Sequence, residues 1–116
     1  MLRKPISGHD TPLVRAINEV GDGWILLILW AACNDVTRFD EFQRELGVAR
    51  NILSERLRKL VDAGLLKKQP ISDGARRMEY KLTSKGMAIE DSLRALYHWG
   101  DAWVETPDQI QLRAAE

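Results

Sequence analysis

One cysteine in 116 residues leaves no internal partner, which excludes a disulfide scaffold and matches the thiol usage of a reducing, intracellular compartment. Histidine is almost as scarce: His9 and His98 are far apart, neither sits at metal-ligand spacing, and a single cysteine cannot complete a zinc site. No metal and no other cofactor is expected. Long apolar runs are missing too. The longest, Trp24 to Cys33, has ten residues, which suits a buried core helix and is about half of a membrane span. Behind Met1-Leu2-Arg3-Lys4 stand Pro5, Ser7, Gly8, His9 and Asp10 in place of an apolar stretch. No secretory signal is therefore expected, and the chain reads as cytoplasmic, with no membrane partner. Gly21-Asp22-Gly23 lacks the third glycine of a dinucleotide-binding turn, and no Gly-Lys-Ser/Thr phosphate loop occurs. With no nucleophile beside a base and no carboxylate pair to work across a cleft, the sequence does not read as an enzyme.

What is present suffices for one core. At 45% hydrophobic and 29% charged residues, the composition is that of a single folded domain spanning 1–116. The net charge is zero, yet the charges are segregated along the chain. From Arg38 to Lys85 there are 12 basic and 7 acidic residues, a net of +5, so the flanks together carry −5. Such a distribution suits a basic working surface on a neutral protein.

Thr11-Pro12 is a helix start, with a hydroxyl to cap free amides and a proline where no amide is needed; Leu13, Ala16, Ile17 and Val20 share a face, and Gly21 ends the run. A second helix from Trp24 to Ala32 is apolar nearly all round and should be the central one, stopped by Asn34 and Asp35. Thr37 with Asp40 resembles a capping box ahead of Phe39, Phe42 and Leu46, and Gly47 supplies a left-handed exit. A longer helix follows, roughly Ala49 to Ala63, with Leu53, Leu57, Leu60 and Val61 on its buried stripe. Two short helices joined by a glycine turn form a helix-turn-helix. Leu65 to Pro70 and Met78 to Leu82 then read as strands around a Ser72-Asp73-Gly74 turn, which places a basic wing at about 66–82. Thr83 caps a last helix of about 84–104, whose apolar residues exceed the needs of one small core, and the tail from Asp108 to Glu116 is expected to fray. The fold class is mainly α with a small β-hairpin: a winged helix-turn-helix with extra N- and C-terminal helices for dimerisation.

This order of elements resembles the HxlR-type family of bacterial winged helix-turn-helix transcription regulators. The match is carried by Thr11-Pro12-Leu13, Gly21-Asp22-Gly23-Trp24 through Leu29, Arg38-Phe39-Asp40-Glu41-Phe42, Leu53-Ser54-Glu55-Arg56-Leu57-Arg58-Lys59-Leu60, Gly64-Leu65, Glu79 to Thr83 and Trp99-Gly100. It covers about 11–103. The resemblance implies a DNA-binding regulator of transcription. Three positions depart from the family pattern: Thr11 stands where members often carry a sensing cysteine, Gly23 where lysine usually precedes the tryptophan, and Ala49 where serine often caps the recognition helix.

If Leu53, Leu57 and Leu60 face inward, then Asn51, Ser54, Glu55, Arg58 and Asp62 face outward. Asn51, Ser54 and Arg58, with Arg50 in the first turn, are the candidates for base contacts, because Asn pairs bidentately with adenine and Arg with guanine. Arg76 and Arg77 are the candidate wing contacts, and Arg38, with Lys67 and Lys68 behind it, the candidate phosphate contacts. The expected partners are double-stranded DNA and a second copy of the chain, with Leu93, Leu96, Tyr97, Trp99 and Trp103 at the dimer interface. Two alternatives stay open. One is a winged-helix module that binds protein. The other is a regulator that also senses an unknown small-molecule effector in a pocket of Trp24, Trp30, Tyr97, Trp99 and Trp103. Cys33, inside the apolar helix, is expected to pack as a small hydrophobe and not to act as a redox switch.

Overall fold

The computed structural model describes residues 4–108, so the tail expected to fray lies, beyond Asp108, outside the described residues. The described residues form α1 (Pro12–Val20), α2 (Gly23–Cys33), α3 (Phe39–Leu46), α4 (Arg50–Asp62), β1 (Leu66–Pro70), β2 (Met78–Leu82), α5 (Ser84–Met87) and α6 (Glu90–Trp103). The organising element is α2. Its sequence offers no polar face, so the other elements close around it, and Ile25, Ile28, Leu29, Ala31 and Ala32 are buried. Phe42 from α3, Val48 in the turn after it, Leu53, Leu57 and Leu60 from α4, Leu65 and Leu66 at the start of the hairpin and Leu93 from α6 complete the core. No single described helix is long and apolar enough to cross a membrane.

Local signals set most of the boundaries. The Thr11 hydroxyl accepts from the Val14 amide at 3.2 Å and Pro12 occupies the first turn, as read from the sequence. The cap of α3 lies one residue later than the Thr37–Asp40 reading. Arg38 is the capping residue, and the Glu41 carboxylate accepts from its backbone amide at 3.1 Å. The Thr37 carbonyl instead accepts from the Tyr80 amide at 2.7 Å, which ties β2 to the entrance of α3. Gly47 leaves α3 at φ 61°, in the left-handed region that glycine occupies without steric cost. The strands pair antiparallel from Leu66↔Leu82 to Pro70↔Met78, within the expected wing.

Two further readings are corrected. The single last helix is divided at Ala88–Ile89, because its two ends answer to different anchors. At one end the Thr83 hydroxyl donates to the Leu65 carbonyl at 3.2 Å, and Gly86 lies so close to that carbonyl that a Cβ would collide with it. At the other, Leu93 must reach the core beside α2. The turn between them tightens, with the Ile89 amide bonded to Gly86, three residues back, at 3.3 Å.

The second correction concerns the basic segment, part of which never reaches the surface. Arg56 is 4% exposed and lies on the Leu53–Leu57–Leu60 stripe. Its Nη2 meets Asp22 Oδ2 at 3.1 Å, its Nε donates to Oδ1 at 3.4 Å, and its Nη1 meets Glu55 at 3.1 Å. Lys59 donates to the Asn18 carbonyl at 3.2 Å, and Lys85 to the Ala63 carbonyl at 2.7 Å and to Glu19 at 3.4 Å. These cations serve helix ends and the core boundary.

Asp22 does two jobs, since its carboxylate also accepts from the Ile25 amide at 3.1 Å and so caps α2. Burial pushes its carboxyl upward, but the hydrogen bonds from Arg56 and Ile25 and the Arg56 charge outweigh that, and it titrates below the ordinary 3.8. A depressed native value means that the ionised form stabilises the fold above the ordinary value, and that this stability drains away as pH falls through the native value. Arg56→Met is expected to cost about 3 kcal/mol in denaturant unfolding at pH 7, because it leaves a mostly buried carboxylate without its cation. Asp22→Asn should also destabilise at pH 7, and its deficit against wild type should shrink as pH is lowered below 3.8.

Candidate nucleic-acid interface

The exposed side of α4 is assembled by what its buried side must do. With Leu53, Arg56, Leu57 and Leu60 turned inward, Arg50, Asn51, Ser54, Glu55, Arg58 and Asp62 are exposed. Ala49 contributes no side-chain cap, so the helix is held by this buried stripe. Its free first-turn amides and the positive end of its dipole add to the cationic character of Arg50.

Two clefts border the hairpin. The first, about 290 Å³, is lined by Ser54, Arg58, Val61, Asp62, Lys68 and Tyr80 and separates α4 from the hairpin. Within it the Lys68 ammonium sits 5.7 Å from the Tyr80 ring centroid, across the strand pair. The second, about 250 Å³, is lined by Arg38, Phe39, Asp40, Ile71, Arg77 and Met78, between the start of α3 and the wing. Arg38 and Arg77 are thereby brought to one cleft although 39 positions separate them in the chain. Arg76 is exposed beside the turn but does not line this cleft, and Lys67 is exposed on β1. The Arg50 guanidinium lies over the Phe39 ring, 4.7 Å from its centroid.

Sequence reading missed the part of Phe39 and Tyr80 at this surface, having placed one only at the start of the third helix and the other only within a strand of the wing. It also missed the inward turn of Arg56. That one had a signal, since Arg56 falls three residues after Leu53 and four before Leu60.

On α6, Leu93 is corrected from interface to core: it is 6% exposed and packs in the central cluster. Leu96, Tyr97 and Trp99 are exposed and Trp103 is 77% exposed, while α1 buries none of its residues and leaves Leu13 69% exposed. Tyr97 stacks on Trp30 with centroids 5.3 Å apart and planes inclined by 22°. A groove of about 210 Å³ runs beside this pair, lined by Leu26, Leu27, Trp30, Leu93, Leu96, Tyr97 and Gly100. Of the five aromatics expected to line a pocket, Trp30 and Tyr97 line this groove and Trp24, Trp99 and Trp103 do not. Among the described residues, no group of three or more His, Cys, Asp or Glu is arranged to hold a metal ion.

With the fold and these surfaces defined, the class is that of a winged helix-turn-helix domain. The family model described as HxlR-like helix-turn-helix matches residues 19–108, and the chain belongs to this family. An uncharacterized HTH-type transcriptional regulator of Mycobacterium tuberculosis is 42% identical over 101 residues, covering 85% of this chain and 64% of its own length. The chain thus spans somewhat less than two thirds of the length of that relative. The HTH-type regulator YvaP of Bacillus subtilis, also uncharacterized, is 32% identical over 92 residues, with 78% and 85% covered. The crystal structure of PA1607, described as a candidate transcription factor, superposes with a TM-score of 0.80 at 40% identity and covers 87% of this chain and 70% of its own. These relatives are regulators by name and none is named an enzyme.

Cys33 is half-buried at the end of α2. Burial, and the nearby Glu90 carboxylate, push its thiol above the ordinary 9.0, so thiolate is scarcer at neutral pH than in a free cysteine. Alkylation of the native protein by iodoacetamide at pH 7.5 should therefore be slower than that of the same thiol in urea-unfolded chain. A faster native reaction would show an activated cysteine.

Proposed function

We propose that the chain is a sequence-specific DNA-binding regulator of transcription that acts as a homodimer on a pseudo-palindromic site. The observation that carries this reading is the exposed face of α4 bearing Arg50, Asn51, Ser54 and Arg58, together with the cleft between α3 and the wing that joins Arg38 and Arg77. An α-helix fits the major groove of B-form DNA, and its N-terminal residues then meet base edges. The hairpin lies alongside, so Arg76 and Arg77 would meet the flanking backbone or minor groove while Arg38 holds a phosphate near the amides that open α3. Membership of the HxlR-like family and the relatives named as transcriptional regulators support the same reading.

The homodimer is supported by the apolar surface that one copy leaves uncovered. Leu13 on α1 and Leu96, Trp99 and Trp103 on α6, with Val104 behind them, are all exposed. Large aromatic anchors of this kind are typical of interface centres, and a two-fold axis through them would present two recognition helices to half-sites about one helical turn apart. A second reading, in which a small-molecule effector also binds, is favoured by the apolar groove beside Trp30 and Tyr97.

Selection of bound sequences from randomised duplexes tests the proposal. A preferred site should emerge, and affinity for it should fall steeply with salt, by roughly 0.9 in the log–log slope per neutralised phosphate. Flat salt dependence without a preferred site would favour a protein-binding winged helix. Asn51→Ala and Arg58→Ala should each relax preference at particular base pairs at a cost of about 1–3 kcal/mol. Arg38→Ala or the Arg76→Ala, Arg77→Ala pair should instead weaken all duplexes alike and lower the slope by about 1 for each lost phosphate contact. Trp103→Glu should shift sedimentation towards monomer and abolish tight binding with the thermal unfolding midpoint retained.

A further inference from the structure

We propose that Phe39 is a positioning residue for base recognition, its ring holding the Arg50 guanidinium in place at the start of α4 before any duplex arrives. The inference rests on the reading of α4 as the groove-entering helix and deepens it by saying which side chain is preset, and by what. Phe39 is the first residue of α3 and Arg50 the first of α4, so the contact joins the N-terminal ends of the two helices of the motif. The ring is itself restrained, being half-buried against the core, and it also lines the Arg38–Arg77 cleft.

The chemistry of the contact is specific. A guanidinium on an aromatic face is attracted by the ring's quadrupole and keeps the donors along its edge free. Arg15, Arg56 and Arg94 spend edge donors on carboxylates, at 2.6, 3.1 and 3.2 Å. Among the described residues Arg50 has no such ion pair, and its partner is the ring. A restrained orientation with free edge donors is what a bidentate bond to guanine O6 and N7 requires, because that bond is directional and the rotamer freedom has already been surrendered. A phosphate asks less, since it accepts from a swinging side chain over a wide range of approach. The structure thus separates Arg50, held over a ring, from Arg38, Arg76 and Arg77, for which no ring contact is seen among the described residues.

The test reads the free protein first. In wild type, the Arg50 δ-methylene protons should be shifted upfield by the ring current, and the shift should vanish in Phe39→Leu and persist in Phe39→Tyr. An unshifted wild-type signal overturns the inference without reference to DNA. Affinities for the selected duplex and its single-base variants come next. Arg50→Ala should lose about five- to 150-fold preference at one guanine. Phe39→Leu should lose about two- to fivefold at that same base pair and no other. The double variant should be no worse than Arg50→Ala, because the two act as one unit. Phe39→Tyr should restore the preference. A ring with only a packing role would instead lower affinity for all duplexes equally or give losses that add. Either result sinks the role of Phe39 while leaving the regulator reading intact, whereas a wild type without preference at any base pair sinks the reading of α4 itself.

Discussion

The ion pair between Asp22 and Arg56 sets the angle at which α4 is presented. Its two members are 34 residues apart, one capping the start of the central helix and the other on the inward stripe of α4. A helix seated only by leucines can rotate slightly or slide by a fraction of a turn at modest cost. One that carries a buried guanidinium cannot, because a few ångströms of displacement strand both charges away from water. Since successive residues advance by about 100° around a helix, anchoring Arg56 inward turns Ser54 and Arg58 outward. The exposed face is a consequence of the buried one.

The same economy governs the rest of the basic segment. A neutral chain with a strongly cationic middle could spread that charge over any solvated surface. Arg56, Lys59 and Lys85 are instead turned to a buried carboxylate and to carbonyls at the ends of α1 and α4, where positive charge also suits the helix dipole. Arg38, Arg50, Arg58, Arg76 and Arg77 remain on the surface, on or beside α3, α4 and the wing. The Thr37–Tyr80 backbone bond keeps wing and helix-turn-helix in register, so that Arg38 and Arg77 share a cleft.

The flanking helices follow a different logic. The strongly amphipathic α1 has no fully buried residue, only Val20 packing partly against the core, and α6 divides its apolar residues between the core, through Leu93, and the surface, through Leu96, Trp99 and Trp103. The bend between α5 and α6 makes that division possible. α5 is locked by Thr83 and Gly86 to the Leu65 carbonyl, while α6 is aimed by Leu93 along α2.

The sequence by itself determined the elements that depend on near neighbours. Thr11-Pro12, Gly47, the all-apolar α2 and the leucine stripe of α4 act through backbone geometry and side chains three or four residues apart, which are readable in a linear string. So were the exposure of Arg50, Asn51, Ser54 and Arg58 and the position of the wing. Tertiary structure alone decided which partner each long side chain takes. Arg56 chose Asp22 over solvent, Leu93 chose the core over an interface, Thr37 gave its carbonyl to Tyr80, and Arg50 found the Phe39 ring. Each of these is settled by the desolvation and geometry of groups brought together from distant parts of the chain, and periodicity along one helix carries no information about what another helix will place opposite it.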